Sequence, residues 1–202
     1  MLVPAVDALC QGYPGLKLEL LLSDRLVDIA SEGIDIAVRA GVPPLDTRMA
    51  QRLGSHHRRL YASAAYLERE GTPSLIEDLT RFRLISNSGV APQNQWRFEQ
   101  DGQTLMVPVK GDVQADNTAT VVSLALSGAG IARINSVVAS PHVARGSLVP
   151  VLDAFGDSTR HDVHAVTLAA RYRASRTRAV VGWLRTTFSA AGFSQDRGPS
   201  RT

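Results

Sequence analysis

The chain has little sulfur: Cys10 is the single cysteine in 202 residues. That excludes an internal disulfide and fits a reducing compartment. No apolar run approaches the roughly 20 residues needed to cross a bilayer, so no membrane segment is expected. Residues 1–7 contain no basic stretch, and Asp7 interrupts their apolar run. They do not have the form of a secretory signal, and a cytoplasmic location follows as the expectation. The short motifs of catalysis and nucleotide binding are missing too: there is no GxSxG, Walker loop, HExxH or CxxC. Gly128-Ala129-Gly130 precedes a strand-like stretch instead of opening a helix after one, so it is not a dinucleotide fingerprint.

Metal-ligating and acid/base residues do not gather. His56 and His57 are adjacent, so their side chains diverge, and the pair reads as a polar loop. His161 and His164 are three apart on an extended segment, where such residues face opposite sides. The carboxylates are scattered. No metal, cofactor or catalytic residue is expected, and the chain does not read as an enzyme.

What is present is an ordinary globular composition, 44% apolar, which can furnish a sizeable core. The net charge of +3 is unevenly spread, because residues 160–202 hold eight Arg and two Asp. A basic tail can bind nucleic acid. No aromatics interleave with these arginines, however, and the plainer reading is a solvated helix face with a frayed end.

Periodicity predicts the elements. Residues 2–11 place Leu2, Val3, Val6, Leu9 and Cys10 on one helical face, and Cys10 reads as packing. Leu16, Leu18, Leu20 and Leu22 alternate with polar neighbours, the period of a strand. Ser23-Asp24 caps a short helix with Leu26, Ile29 and Ala30 inward. Gly33 stops it, and residues 34–38 form a second strand. This α-β-α-β order suits a parallel sheet flanked by helices. Further strands are expected near residues 49–53, 58–62, 113–116, 130–134, 148–152 and 163–168. Asp101-Gly102 joins residues 96–100 and 103–109 as a hairpin. Ser74 to Glu77 has capping-box spacing. Helices are expected over 63–69, 118–127 and 137–144, with a last one capped by Ser175 and running to about Phe188. The remaining residues read as a disordered tail.

Helix starts directly after strands are candidate ligand contacts. Ala62-Ser63 enters one helix and Asn117-Thr118 another, and free N–H groups with a partial positive charge suit a carboxylate. Arg39, at the end of the strand over residues 34–38, would project into a crevice at the carboxyl ends of the strands. Ser63 and Asn117 would cap their helices with or without a ligand, and Arg39 is equally readable as a surface arginine.

Several phrases, taken in order, resemble the effector domains of LysR-type transcription regulators. Tyr13-Pro14-Gly15-Leu16-Lys17-Leu18-Glu19-Leu20 resembles "RYPD-(V/L)-x-L-E-L". Glu32 through Gly41 is similar to "EGxDLAIRxG". Leu60 through Leu67 is similar to "xxCASPAYL", with Ala64 or Ala65 in place of the usual proline. Gly71-Thr72-Pro73 leading to Asp78-Leu79 resembles "GxPxxPxDL". Asp116-Asn117 through Gly128-Ala129-Gly130-Ile131-Ala132 resembles "xNxxxxxxxAxxGxGIA". Gly146 through Leu152, and the stretch from Arg171 to Leu184, are similar to the closing segments. The resemblance covers about residues 2–188.

It implies an α/β chain of two Rossmann-like subdomains of the type II periplasmic-binding-protein fold, joined by two crossover strands. Residues 1–61 with 163–202 would form the first subdomain, with a disordered tail over about 189–202, and residues 62–162 the second. A small organic effector, often a carboxylate, would bind in the cleft. Arg39, Ala62, Ser63, Asn117, Thr118, Arg133 and Asn135 would line it. Arg133-Ile134-Asn135 departs from the usual "LLP", so Arg133 either adds a charge there or faces outward. A homodimer or homotetramer would transmit the signal, with DNA bound only through a winged helix that the family carries before this region. That winged helix, its linker helix and a first strand are expected to be lacking here. A solute-binding protein of the same fold and a stand-alone dimerisation module are the competing readings.

No helix in the chain has the features of a DNA recognition helix. In a gel shift the chain should therefore bind DNA weakly, without sequence preference, and with a steep loss on adding salt. Salt-resistant binding to one operator sequence would contradict this reading.

Overall fold

The computed structural model describes residues 2–25, 27–41 and 48–195. In chain order the elements are α1 (Val6–Gly12), β1 (Ala37–Ala40), β2 (Arg48–His56), β3 (Arg58–Ala62), α2 (Ala64–Glu70) and β4 (Leu84–Asn87). There follow β5 (Gln95–Gln100), β6 (Gln103–Pro108), β7 (Val113–Ala115), α3 (Thr118–Leu126), β8 (Ile131–Asn135) and α4 (Ser136–Ala144). β9 (Val149–Val151), β10 (His161–Leu168), α5 (Ala169–Tyr172) and α6 (Ser175–Ala190) complete the chain. Short 3₁₀ turns lie between them. The chain divides into two compact units: Met1–Leu21, Leu26–His56 and Arg160–Thr202 form one, and Leu22–Arg25 with His57–Thr159 form the other.

In the first unit β10 lies between β1 and β2 and pairs antiparallel with both. The register slips at Val163/His164, opposite Gly54. Gly54 has φ 145°, and a Cβ there would lie 2.7 Å from the Cβ of Phe193, so only glycine fits the bulge. Helix α6 buries Val181, Leu184 and Phe188, the i, i+3, i+7 face of an amphipathic helix. Ser175 is its first residue and not its cap, and the helix continues to Ala190. Beyond it Phe193 is buried against Phe188, with ring centroids 4.7 Å apart, so the chain is still packed past residue 189, where a disordered tail was expected. Residues 196–202 of that expected tail lie outside the described residues.

Several early expectations fail. The residues 16–22 form no strand, and Leu20, Leu21 and Leu22 are 43%, 63% and 80% exposed. Alternation marks a segment fit for a sheet, but a strand exists only when a neighbour satisfies its backbone. Among the described residues none does so here. The helix expected after Asp24 is replaced by turns around buried Ile29, and Leu26 lies outside the described residues. The parallel start predicted for the sheet is accordingly absent among the described residues. In α1 only Leu9 is buried, and Cys10 is exposed instead of packed. His56 is not a loop residue: it ends β2, is buried, and stacks on His161 at 5.5 Å between ring centroids.

The second unit carries a five-stranded sheet in the order β7-β4-β8-β3-β9. β4 runs parallel to β7 and β8, whereas β3 runs antiparallel to β8 and β9. Alternation along β3 and β8 divides the core. Leu60, Ala62 and Ile131 face one side, where Trp96 and Phe98 of the β5–β6 hairpin pack with Tyr66 and Leu79. Tyr61, Ala132 and Ile134 face the other, under Val121, Val122 and Ala125 of α3 and Ala139 of α4. The hairpin turns on Asp101-Gly102 with φ of 50° and 73°, the left-handed pair that its sequence predicts. The residue that satisfies Ser74 and Leu75 is Asp78, one further along than the expected Glu77: its carboxylate accepts from both backbone N–H groups at 3.0 Å.

The leucines of residues 16–22 give a testable consequence, because an alternating apolar segment with unpaired backbone invites pairing between chains. The double replacement Leu20→Ser/Leu22→Ser should reduce self-association in size-exclusion chromatography. It should change folding stability by no more than about 0.5 kcal/mol, the usual range for exposed positions.

Candidate functional site

Because β4, β7 and β8 are parallel, their carboxyl ends meet at one end of the second unit's sheet. β3 runs the other way, so its beginning joins them: Arg58 lies opposite Asn135 in the register. This end brings together Asn117, Thr118, Arg133 and Asn135 of the expected set. It does not include Ala62 and Ser63. Tyr61 lies opposite Ala132, which puts the end of β3 beside the start of β8, at the far end of the sheet. There Ala62 is fully buried and Ser63 caps α2, its Oγ accepting from the Tyr66 N–H at 3.2 Å. Arg39 lies within β1 in the first unit, paired in register with His164, and its guanidinium donates to the Val27 carbonyl.

Each residue at the site end has a defined job. Asn117 caps α3, its Oδ1 accepting from the Thr120 N–H at 2.9 Å. Asn135 caps α4, accepting from Val137 N–H at 2.9 Å and from Val138 N–H at 3.4 Å. Thr118 presents its N–H and its hydroxyl to a carboxylate, which is the protein's own. Asp24 Oδ2 accepts from Thr118 N at 2.6 Å, from Thr118 Oγ1 at 2.6 Å and from Asn87 Nδ2 at 2.9 Å. Asn87 is held for this: its N–H donates to Asn94 Oδ1, its carbonyl accepts from Asn94 Nδ2, and its Oδ1 accepts from Gly89 N–H. The position at the start of α3, where the helix field favours negative charge, is thus built for a carboxylate. A small open depression adjoins it, lined by Ile85, Asn87, Asn94, Trp96, Thr118 and Arg133 among others.

Arg133 faces inward. Its side chain is 9% exposed and pairs at 2.7 Å with Asp157, which is 2% exposed. Burial lowers the Arg133 pKa, and the Asp157 carboxylate opposes that shift. Arg58 is depressed further, to about 10, first by burial and then by the Arg133 charge, with Asp24 acting in the other direction. The arrangement can hold an anion. Among the described residues no three His, Cys, Asp or Glu side chains gather as a metal site would require.

The sequence reading missed Asp24, Asn87, Arg58 and Asp157. Asn87 and Arg58 stand at the proper ends of their strands and were recoverable once the direction of β3 was known. Asp24 and Asp157 carry no local signal, since their partners are 94 and 24 residues away.

Residues 1–189 of this two-unit α/β chain match the family described as LysR substrate binding domain. The chain belongs to that family, and its fold is of the periplasmic-binding-protein-like type II. It is 30% identical over 180 residues to the HTH-type transcriptional regulator PtxR of Pseudomonas aeruginosa, covering 88% of this chain and 57% of that protein. With the HTH-type transcriptional regulator DmlR of Escherichia coli it shares 28% over 190 residues, 94% of this chain and 61% of that protein. The chain therefore spans about three-fifths of the length of these curated relatives. The regulatory domain of CrgA, a LysR-type transcriptional regulator from Neisseria meningitidis, superposes with a TM-score of 0.87 at 25% identity, covering 93% of this chain and 92% of that one.

The buried ion pair sets a test of the site's construction. Removing either partner strands a buried charge with one remaining bond: Arg133 keeps the Gln95 carbonyl, and Asp157 keeps the Thr159 N–H. Asp157→Ala should lower the unfolding free energy in urea by about 3–5 kcal/mol. Arg133→Met strands the Asp157 carboxylate and should cost a comparable amount.

Proposed function

We propose that this chain is the effector-sensing part of a LysR-type transcription regulator, that it binds a small organic anion at the start of α3, and that it self-associates to pass the signal on. Control of DNA would run through a helix-turn-helix domain of the kind named in its relatives PtxR and DmlR, and the location would be cytoplasmic, where the DNA is. No catalytic role is part of this reading.

The observation that carries it is the Asp24 carboxylate. Three donors on Thr118 and Asn87 converge on one carboxylate oxygen, and such charge-assisted bonds are the strong ones. The donors that hold Asp24 would hold the carboxylate of an effector equally well, so Asp24 is an internal stand-in that an effector has to displace. Asn117 and Asn135 shape the site as caps, and Arg133 lines the adjoining depression.

The test is a thermal-shift screen of small carboxylic acids against the chain, followed by calorimetry on the hits. Asp24→Ala should tighten a carboxylate hit by about ten- to a hundredfold, since hydrogen bonds to a charged group worth about 1.5–3 kcal/mol no longer have to be broken. Thr118→Val should weaken it. If no carboxylate binds either the unaltered chain or the Asp24→Ala variant, the reading fails.

A further inference from the structure

A second open depression lies in the same unit, on the hairpin side of β3 and β8. Four arginines, Arg58, Arg59, Arg97 and Arg133, line it together with Phe98 and Gly156. Like charges this close repel, and a protein that keeps them together has to neutralise them.

Two of the four are already neutralised. Arg133 pairs with Asp157 at 2.7 Å and donates to the Gln95 carbonyl at 3.1 Å. Arg59 lies 3.4 Å from Asp153 and donates to the Asp157 carbonyl at 2.6 Å. Asp157 has no capacity to spare, because its second oxygen accepts from the Thr159 N–H at 2.6 Å. Glu99 is engaged with Ser158 through its N–H and hydroxyl.

The other two are not. The Arg58 guanidinium makes no hydrogen bond or ion pair among the described residues. Arg97 donates from one terminal nitrogen to Thr104 Oγ1 at 3.1 Å, while its Nε is buried with no partner among the described residues. The charges sense one another: Arg133 lowers the pKa of Arg58, and both Arg59 and Arg97 lower that of Arg133. Guanidinium groups offer paired N–H donors matched to the oxygens of carboxylate and phosphate.

We propose that this depression is a second binding site, for a small oxyanion carrying two negative charges, held by the Arg58 and Arg97 guanidiniums. The charge count sets the ligand class: two uncommitted cations are balanced by a phosphate or a dicarboxylate and left in excess by a monocarboxylate. Arg133 lines both pockets, but its charge is spent on Asp157, so this site does not depend on an effector at α3.

The test compares melting of the full chain at pH 8 in sodium phosphate, sodium malonate, sodium acetate and sodium chloride at equal ionic strength. Phosphate or malonate should raise the midpoint saturably, by about 3–6 °C at ten times its half-saturating concentration. Acetate and chloride should not. Which of the two dianions acts identifies the source of the charge. Arg58→Gln and Arg97→Gln break no ion pair, so both should fold, and each should abolish the rise. Without anion, Arg58→Gln should melt at or above the unaltered chain, because an unpaired charge has been removed. Asp24→Ala should keep the rise. An equal rise in chloride would reduce the effect to screening and overturn the proposal. So would a rise that survives both arginine variants, or one lost only in Asp24→Ala, which would place the anion at α3.

Discussion

The pairing of Arg133 with Asp157 is the interaction on which the second unit's arrangement depends. Neither group is tolerable there alone, since an unpaired charge out of water costs several kcal/mol. Asp157 therefore fixes more than one neighbour: one oxygen accepts from Arg133, the other from the Thr159 N–H, and its carbonyl from Arg59. The stretch following β9 is thereby pinned across β8 and β3. Replacing the pair by apolar side chains of similar volume could give an equally stable sheet. What would be lost is the anchoring of that stretch through the Asp157 carboxylate to Arg133 and the Thr159 N–H.

Strand direction decides which residues share that end. In an all-parallel sheet the last residues of every strand converge, and the pair Ala62-Ser63 would face Asn117-Thr118. Here β3 is reversed relative to β4, β7 and β8, so its first residues arrive where the others finish. Arg58 takes the place expected for Ser63. Ser63 is left with a capping role, and Gly128 lies beside it. The same reversal accounts for the two-sided core, because β3 and β8 alternate in step and send Leu60 and Ile131 to the hairpin while Tyr61 and Ala132 go to α3.

Much of this was legible in the sequence where a local rule decided the outcome. Asp101-Gly102 fixes the hairpin by its φ requirement alone, and the cap at Asn117 follows from its side chain. The α6 face follows from spacing. Reading failed where the outcome needed a partner distant in sequence. Alternation over residues 16–22 is real, but a strand is a property of two segments, and none among the described residues pairs with this one. Ser23-Asp24 has the composition of a cap and caps nothing, because Asp24 finds a better set of donors on α3 and Asn87. The cap at the start of α3 was foreseen, and the Asp24 carboxylate beside it was not. Arg133 was left open between an added charge and an outward-facing side chain, and its alternation with Ile134 and Ala132 would have settled the direction had β8 been recognised as central.

The occupancy of the α3 start by Asp24 changes what an effector there must accomplish. A carboxylate on the same chain is present at high effective concentration, so a free ligand competes against an intramolecular one. A ligand offering only an equivalent carboxylate gains nothing by the exchange, because the bonds it makes equal those it breaks. On the proposed reading, selectivity then rests on what the ligand adds beyond its carboxylate: contact with Ile85 and Trp96, or a second acceptor for the nearby arginines. Simple metabolic anions would then be screened out at the cost of a weaker apparent affinity for every ligand, the expected effect when the competent state is sparsely populated. The cost is also the signal. Residues Leu22–Arg25 belong to the second unit although the segments on either side of them belong to the first. On the proposed reading, displacing Asp24 would free a stretch whose attachment differs from that of its neighbours in the chain, the kind of two-state element a sensor requires.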